Sequence, residues 1–200
     1  MQTLLSKTAA TEYPIHPLLA ERWSPRAFAD RPIPADVLGS LLEAARWSPS
    51  SSNQQPWRFV VVRREDEAAH NRMVETLSGN NRLWAHRAPI LLVGVASILN
   101  SRSGAPNAYA WYDLGQSVAH FTFQASAAGL YMHQMGGFDK AQARVVLEIP
   151  ENYEPVVTIA VGYPGDVADL PEPLQEREAA ERSRRPLAES VFYGKWGENH

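Results

Sequence analysis

Two hundred residues suit one domain, which at this length buries roughly 70% of its unfolded surface without disulfide or metal staples. Hydrophobic residues at 44% and charged residues at 20% are an ordinary globular balance, and a net charge of -3 argues against the basic face of a nucleic-acid binder. The absence of cysteine excludes disulfides, thiolate nucleophiles, Cys-ligated zinc and iron–sulfur clusters. No apolar run approaches the roughly 18 residues of a membrane span, and residues 1–11 lack the positive-then-apolar pattern of a secretory signal. The expectation is a cytoplasmic protein without membrane or nucleic-acid partners.

In chain order, His16-Pro17 reads as a helix start, with proline at the first helical position, and that helix stops before Ser24-Pro25. Pro34 opens a second helix, whose Val37, Leu38, Leu41, Leu42 and Ala45 recur at helical spacing until Trp47. The turn-formers Ser48, Pro49, Ser50, Ser51, Ser52 and Asn53 follow. WRFVVV (57–62) is β-branched and aromatic and predicts a buried strand. A charged helix spans 65–77, and PILLVGVA (89–96) predicts a second strand. Residues 98–108 form a small polar loop. A long helix from Tyr109 to Ala128 ends at Gly129. Its many Ala, Gly and Ser residues suit a close-packed core or a dimer seam.

Residues 131–134 predict a short strand, Asp139 starts a helix that ends near Ile149-Pro150, and PVVTIAVG (155–162) predicts a further strand. Apolar density falls after Gly165. The remaining tail of about 35 residues has few ways to build a core, and about 100 Å of reach when fully extended. It carries Arg182, Arg184 and Arg185. The expectation is one domain over 1–200, with 166–200 as a tail that wraps a partner subunit.

Several chemistries lack their motifs. There is no strand-linked GxGxxG, no GxxxxGK[ST], no GxSxG, and no metal spacing among the six histidines. Asp113 and His120, seven apart, share a helix face, which packing and capping explain more cheaply than chemistry does. Three polar segments remain. Arg22-Trp23-Ser24-Pro25-Arg26 offers two guanidiniums and a hydroxyl to an oxyanion, although alone it reads more readily as a solvated charged turn. Residues 49–57 (PSSSNQQPW) present hydroxyls and amides able to satisfy a heterocycle's carbonyls and N–H, or merely to cap a turn. Met135-Gly136-Gly137 lets backbone N–H groups approach a ligand, or is a strand-to-helix turn before Asp139 as N-cap.

Taken in order, RWSPRAF (22–28), EAARWSPSSSNQQPWRFVVV (43–62), APILLVGVA (88–96), QMGGFD (134–139), PVVTIAVGYP (155–164) and RSRRPL (182–187) resemble the nitroreductase family of FMN-dependent oxidoreductases. The resemblance implies an α+β sandwich around a small central mixed sheet, built as an intertwined homodimer. FMN then lies at the dimer interface, and the tail crosses to the partner. Arg22 and Ser24 are expected on the FMN phosphate, with Trp23 beside the ribityl chain and Arg182 and Arg184 joining the phosphate site. Arg26 is expected at the N1–C2 edge of the ring, where a cation raises the two-electron potential. Pro49, Ser50, Ser51 and Asn53, with Gln55 a weaker candidate, are expected from the other subunit.

Asn81 aligns loosely with a family asparagine at the pyrimidine edge. Trp84 sits where other members have a second cation, which leaves Arg26 alone at N1. Gly136 is expected to offer its N–H to flavin N5, with Met135 and Gly137 packing alongside. Some members carry a helical insertion over the flavin where this chain has only residues 98–108, so a more open site is expected.

The implied activity passes hydride from NADH or NADPH, through flavin N5, to an electron-poor nitroaromatic or quinone in a ping-pong scheme. No catalytic side chain and no metal are expected. The alternatives are a flavin enzyme with another acceptor (an enone reductase, a reductive dehalogenase or a flavin-fragmenting enzyme), a flavin-binding sensor without turnover, and a helical packing module with no cofactor.

Overall fold

The computed structural model describes residues 7–199, so part of the N-terminal stretch read for a signal pattern lies outside the described residues. Among the described residues, seven helices and four strands follow in the order α1 (Pro17–Glu21), α2 (Ala35–Arg46), β1 (Trp57–Arg63), α3 (Glu67–Thr76), α4 (Arg82–Ala85), β2 (Ile90–Ser97), α5 (Ala110–Ala127), β3 (Tyr131–Met135), α6 (Lys140–Val146), β4 (Tyr153–Gly162) and α7 (Glu172–Ala179). Local chemistry marks several ends. The carboxylates of Asp66 and Asp139 cap α3 and α6 by accepting from the N–H groups of Ala69 and Gln142. Gly129, at φ 71°, closes α5 in the left-handed conformation that suits glycine.

The strands form one sheet in the order β1-β2-β4-β3. Strand β2 is buried on both sides. Leu91, Val93 and Val95 point into one core with Met73, Leu77, Trp84 and Phe138, while Ile90, Leu92 and Ala96 point into another with Leu41, Leu114, Val118 and Phe121. This α+β sandwich matches the expectation for layers and sheet size. The expected mixed order is corrected, because all three pairings are antiparallel. The reason lies in the connections. Residues 64–89 leave β1 and return to β2 at one end, where Arg63 faces Ile90 and the Arg64 N–H donates to the Pro89 carbonyl at 2.9 Å. Residues 136–152 likewise leave β3 and enter β4 at a single end, so neither link crosses the sheet as a parallel pair requires.

Two further expectations change. Helix α6 stops at Val146, short of Ile149, and the chain turns through Glu148 at φ 53°. The tail is not coreless along its first half. Leu170 and Leu174 join the core beside β4, and Glu178 on α7 is fully buried. Beyond Arg182 nearly every side chain is exposed, including Leu187, Val191, Tyr193 and Trp196.

Candidate functional site

The 22–28 segment follows α1 in extended form and is tied down on several sides. Phe28 bridges Pro164, the Gly165 N–H donates to the Ala27 carbonyl at 2.9 Å, and the Ala29 N–H donates to the Tyr163 carbonyl at 3.0 Å. The approach leaves no room for a side chain at Gly165, whose Cβ would stand 2.5 Å from the Phe28 carbonyl carbon. Trp23 is buried and sets its ring edge-on to Tyr131 at 6.1 Å.

Arg22 and Ser24 meet, with Nη1 donating to Oγ at 3.3 Å. Folding the tail back brings Arg182 and Arg184 to the same place. Arg182 Nη1 donates to the Ala20 carbonyl at 2.8 Å and to the Lys7 carbonyl. Arg22, Arg182, Ser183 and Arg184 line a cavity of about 270 Å³ whose other wall includes Ile15 and Leu19. Among the described residues none of the three guanidiniums pairs with a carboxylate. Burial, and then the charges of Arg182 and Arg184, push the Arg22 pKa below its ordinary value. Three cations left to repel one another in a half-open pocket are arranged for an anion such as phosphate.

Arg26 is engaged within the chain. Its Nη1 donates to Glu178 Oε2 at 3.3 Å, while Glu178 Oε1 accepts the Arg26 N–H at 2.7 Å and the Ala27 N–H at 3.1 Å. The guanidinium is therefore paired with a buried carboxylate and is not a lone cation. Trp84 is a core residue. It stacks on Phe28 at 6.1 Å and meets His133 at 4.5 Å. His133 Nδ1 lies 2.9 Å from the Pro25 carbonyl, and burial is the main force holding its pKa down at about 4.

At the far end of β3, Met135 is buried and its carbonyl accepts from Thr158 Oγ1 at 3.2 Å. Gly136 has open space where a Cβ would stand, whereas a Cβ on Gly137 would meet Asn81 Nδ2 at 2.9 Å. Asn81 Nδ2 donates to the Gly137 carbonyl at 3.1 Å, and the Ser78 N–H donates to the same oxygen at 3.0 Å. The 78–81 turn thus brings Asn81 against the paired glycines, and the cradle keeps one side of Gly136 free.

The 49–55 loop stands apart from both groups and makes no hydrogen bond to them among the described residues. Its Ser51 N–H donates to Asp113 Oδ2 at 3.1 Å, from a carboxylate buried in the first turn of α5. Gln54 Oε1 accepts from the Ser101 N–H and hydroxyl, both at 2.9 Å. Ser50 Oγ accepts the Gln55 N–H at 3.0 Å, and Gln55 Nε2 donates to Asn53 Oδ1 at 3.0 Å. Ser52, Asn53 and Gln55 all have positive φ (50°, 54° and 47°), a strained run that marks functional loops more often than plain turns. Pro49 leads into this run, and the exposed rings of Trp47, Tyr109, Trp111 and Tyr112 belong to the neighbouring ends of α2 and α5.

Sequence reasoning missed Glu178 and His133 and discounted Asp113. Nothing in the polar run QEREA (175–179) marks one of its carboxylates as buried, and a histidine on a strand carries no spacing signal. Asp113 and His120 do not act together, because His120 is exposed and its Nδ1 meets the Gln116 carbonyl at 2.9 Å. No group of three or more potential metal ligands occurs among the described residues, and no helix is long and apolar enough to cross a membrane.

Comparison with known proteins assigns the arrangement to a family. A solved structure described as an oxidoreductase containing FMN is 36% identical, covers 95% of this chain and 96% of its own, and superposes with a TM-score of 0.88. NADH dehydrogenase of Thermus thermophilus is 28% identical over 73% of this chain and 84% of its own. Iodotyrosine deiodinase of Haliscomenobacter hydrossis is 27% identical over 90% of each chain. Residues 19–163 match the family described as the nitroreductase family, and by that match, which spans well over half its length, this chain belongs to the nitroreductase family.

Proposed function

We propose that the protein is an FMN-dependent oxidoreductase that takes electrons from NADH or NADPH and delivers them to a small electron-poor acceptor, a nitroaromatic or a quinone. The observation that carries the reading is the meeting of Arg22, Arg182 and Arg184 around one cavity, with Ser24 bonded to Arg22 and with no ion pair to any of the three guanidiniums among the described residues. It fits a phosphate monoester, and the FMN-containing solved structure shares 36% of its residues with this chain. The similarity to a NADH dehydrogenase supports the donor.

Bound FMN would supply two-electron chemistry between nicotinamide and acceptor, and the protein's part is to bind, orient and tune it. Arg22, Ser24, Arg182 and Arg184 would hold the phosphate, with Trp23 alongside the ribityl chain. Gly136, with open space where a Cβ would stand, would offer its backbone N–H to the ring, in a cradle made by Met135, Gly137 and Asn81. The 49–55 loop, with Ser50, Ser51 and Asn53, would complete the site from a second copy in a homodimer. The exposed rings of Trp47, Trp111 and Tyr112 beside that loop are the kind of apolar patch that an interface covers. No protein nucleophile takes part.

A second acceptor class has its own support. The iodotyrosine deiodinase relative spans 90% of both chains, which favours reductive removal of halide as the alternative. The test is steady-state consumption of NADH and NADPH by FMN-loaded protein against a nitroaromatic, a quinone and a halogenated phenol, with products identified after a single turnover. The expected outcome is turnover with the first two and parallel double-reciprocal lines, the fingerprint of a donor that leaves before the acceptor binds. Halide release with the phenol alone would move the assignment to dehalogenation, and FMN retention without any turnover would leave a sensor.

A further inference from the structure

We infer that Glu178 is a positioning residue that sets the charge beside the flavin ring, by neutralising Arg26 and thereby holding the bound flavin's two-electron potential down. The inference rests on the flavin reading above and deepens it. Glu178 has no exposure at all, yet both of its oxygens are occupied. Oε1 accepts the Arg26 and Ala27 N–H groups at 2.7 and 3.1 Å, and Oε2 accepts from Arg26 Nη1 at 3.3 Å. The two N–H groups occupy Oε1 alone, and the guanidinium is the one partner recorded for the buried Oε2 among the described residues. The third contact turns the guanidinium into one half of an ion pair whose charges cancel.

The surroundings bear on the sign. Lys7 also faces this pair, but its ammonium sits over the Trp23 ring at 4.7 Å and donates to the Ala180 carbonyl at 2.7 Å. His133, against Pro25, is held neutral mainly by burial. No further carboxylate pairs with Arg26 among the described residues. Two-electron reduction places negative charge on the ring, so an unpaired cation at its N1 edge favours the reduced form, and a carboxylate paired with that cation offsets the gain. Glu178 lies on α7, four residues before Arg182. The chain just beyond α7 carries the arginines of the phosphate cluster. Arg26 itself follows Ser24 by two residues on the extended 22–28 segment, and His133, three residues before Gly136, meets the Pro25 carbonyl beside it, so Arg26 lies on the path from that cluster to the Gly136 cradle.

The test compares the FMN-loaded protein with E178Q, R26Q and the double variant R26Q/E178Q. It measures the two-electron potential by equilibration with a reference dye, together with the FMN dissociation constant. The amide introduced by E178Q keeps an acceptor for the two N–H groups and removes the charge. The inference predicts shifts of opposite sign. E178Q should shift the oxidised-to-reduced equilibrium at least tenfold toward the reduced form, about 30 mV for a two-electron couple. R26Q should move it the other way, and the double variant should return near the wild-type value. A residue that merely holds the fold would weaken FMN binding in both single variants without that cancellation.

Should E178Q fail to fold, R26Q against the double variant still decides the matter. A double variant no higher in potential than R26Q overturns the inference. So does E178Q that binds FMN with an unchanged or lowered potential. Wild-type protein that takes up no FMN would overturn the flavin reading itself, and the inference with it.

Discussion

His133 shows how one buried side chain ties the site to stability. The ring lies between the Pro25 carbonyl and the Trp84 indole, and burial lowers its pKa to about 4. The unfolded chain takes up this proton near pH 6.5, before the folded chain does. Stability is therefore full above about pH 6.5 and falls as the pH drops toward 4, a span worth on the order of 3 kcal/mol. His70, also depressed mainly by burial, acts in the same direction. The expected result is a melting temperature that drops across this window in the wild type and drops less steeply in His133→Phe, which keeps a ring against Trp84. Equal slopes for the two proteins would remove His133 from the account. Arg22 and Ser24 were visible in the sequence as a local pattern, a guanidinium two residues from a hydroxyl, but alone they read as a solvated turn, and only the resemblance gave them a phosphate. Glu178 was not visible, because its partners Arg26 and Ala27 lie about 150 residues away and only the docking of α7 brings them together.

Among elements, α5 governs the loop that the sequence marked most clearly. The PSSSNQQPW stretch was visible as a run of turn-formers, but its anchor was not. The Ser51 N–H reaches across 62 positions to the buried Asp113 carboxylate. Three residues of positive φ, none of them glycine, are then held in place partly by that one bond. Asp113→Ala leaves a donor unsatisfied and frees the strained turn, so it is expected to cost about 1–3 kcal/mol in urea unfolding. It should also weaken FMN binding, because the loop loses its shape. Unchanged unfolding and unchanged binding would mean that the loop is self-supporting. Strands β1, β2 and β4 were legible because each is a compact run rich in β-branched residues, β3 (YMHQM) only as a short stretch between Gly129 and the paired glycines, and α5 because Gly129 punctuates it. Strand direction was not legible, because it depends on where the 64–89 and 136–152 connections re-enter the sheet. The docking of α7 rests on Leu170 and Leu174, two leucines in a mostly polar, proline-broken stretch, too few to stand out by periodicity.

For the whole molecule, two groups of residues lie around Arg22 and Gly136 in one chain, while the 49–55 loop, bonded to neither among the described residues, neighbours exposed aromatic rings. The exposed remainder of the tail beyond Arg182, with its Leu187, Tyr193 and Trp196, adds apolar surface that a second copy would cover. Such an assembly makes cofactor binding and association one problem, since anything that binds only the folded form stabilises it by mass action. The central claim is that the arginine cluster holds the phosphate of FMN. The most direct measurement is titration of the apoprotein with FMN and, in parallel, with riboflavin, in the wild type and in Arg22→Ala, followed by flavin fluorescence. The account predicts tight FMN binding by the wild type, at least tenfold weaker binding by Arg22→Ala, and weak riboflavin binding that the substitution leaves unchanged. Equal affinity of the wild type for FMN and riboflavin, or FMN affinity indifferent to Arg22→Ala, would contradict it.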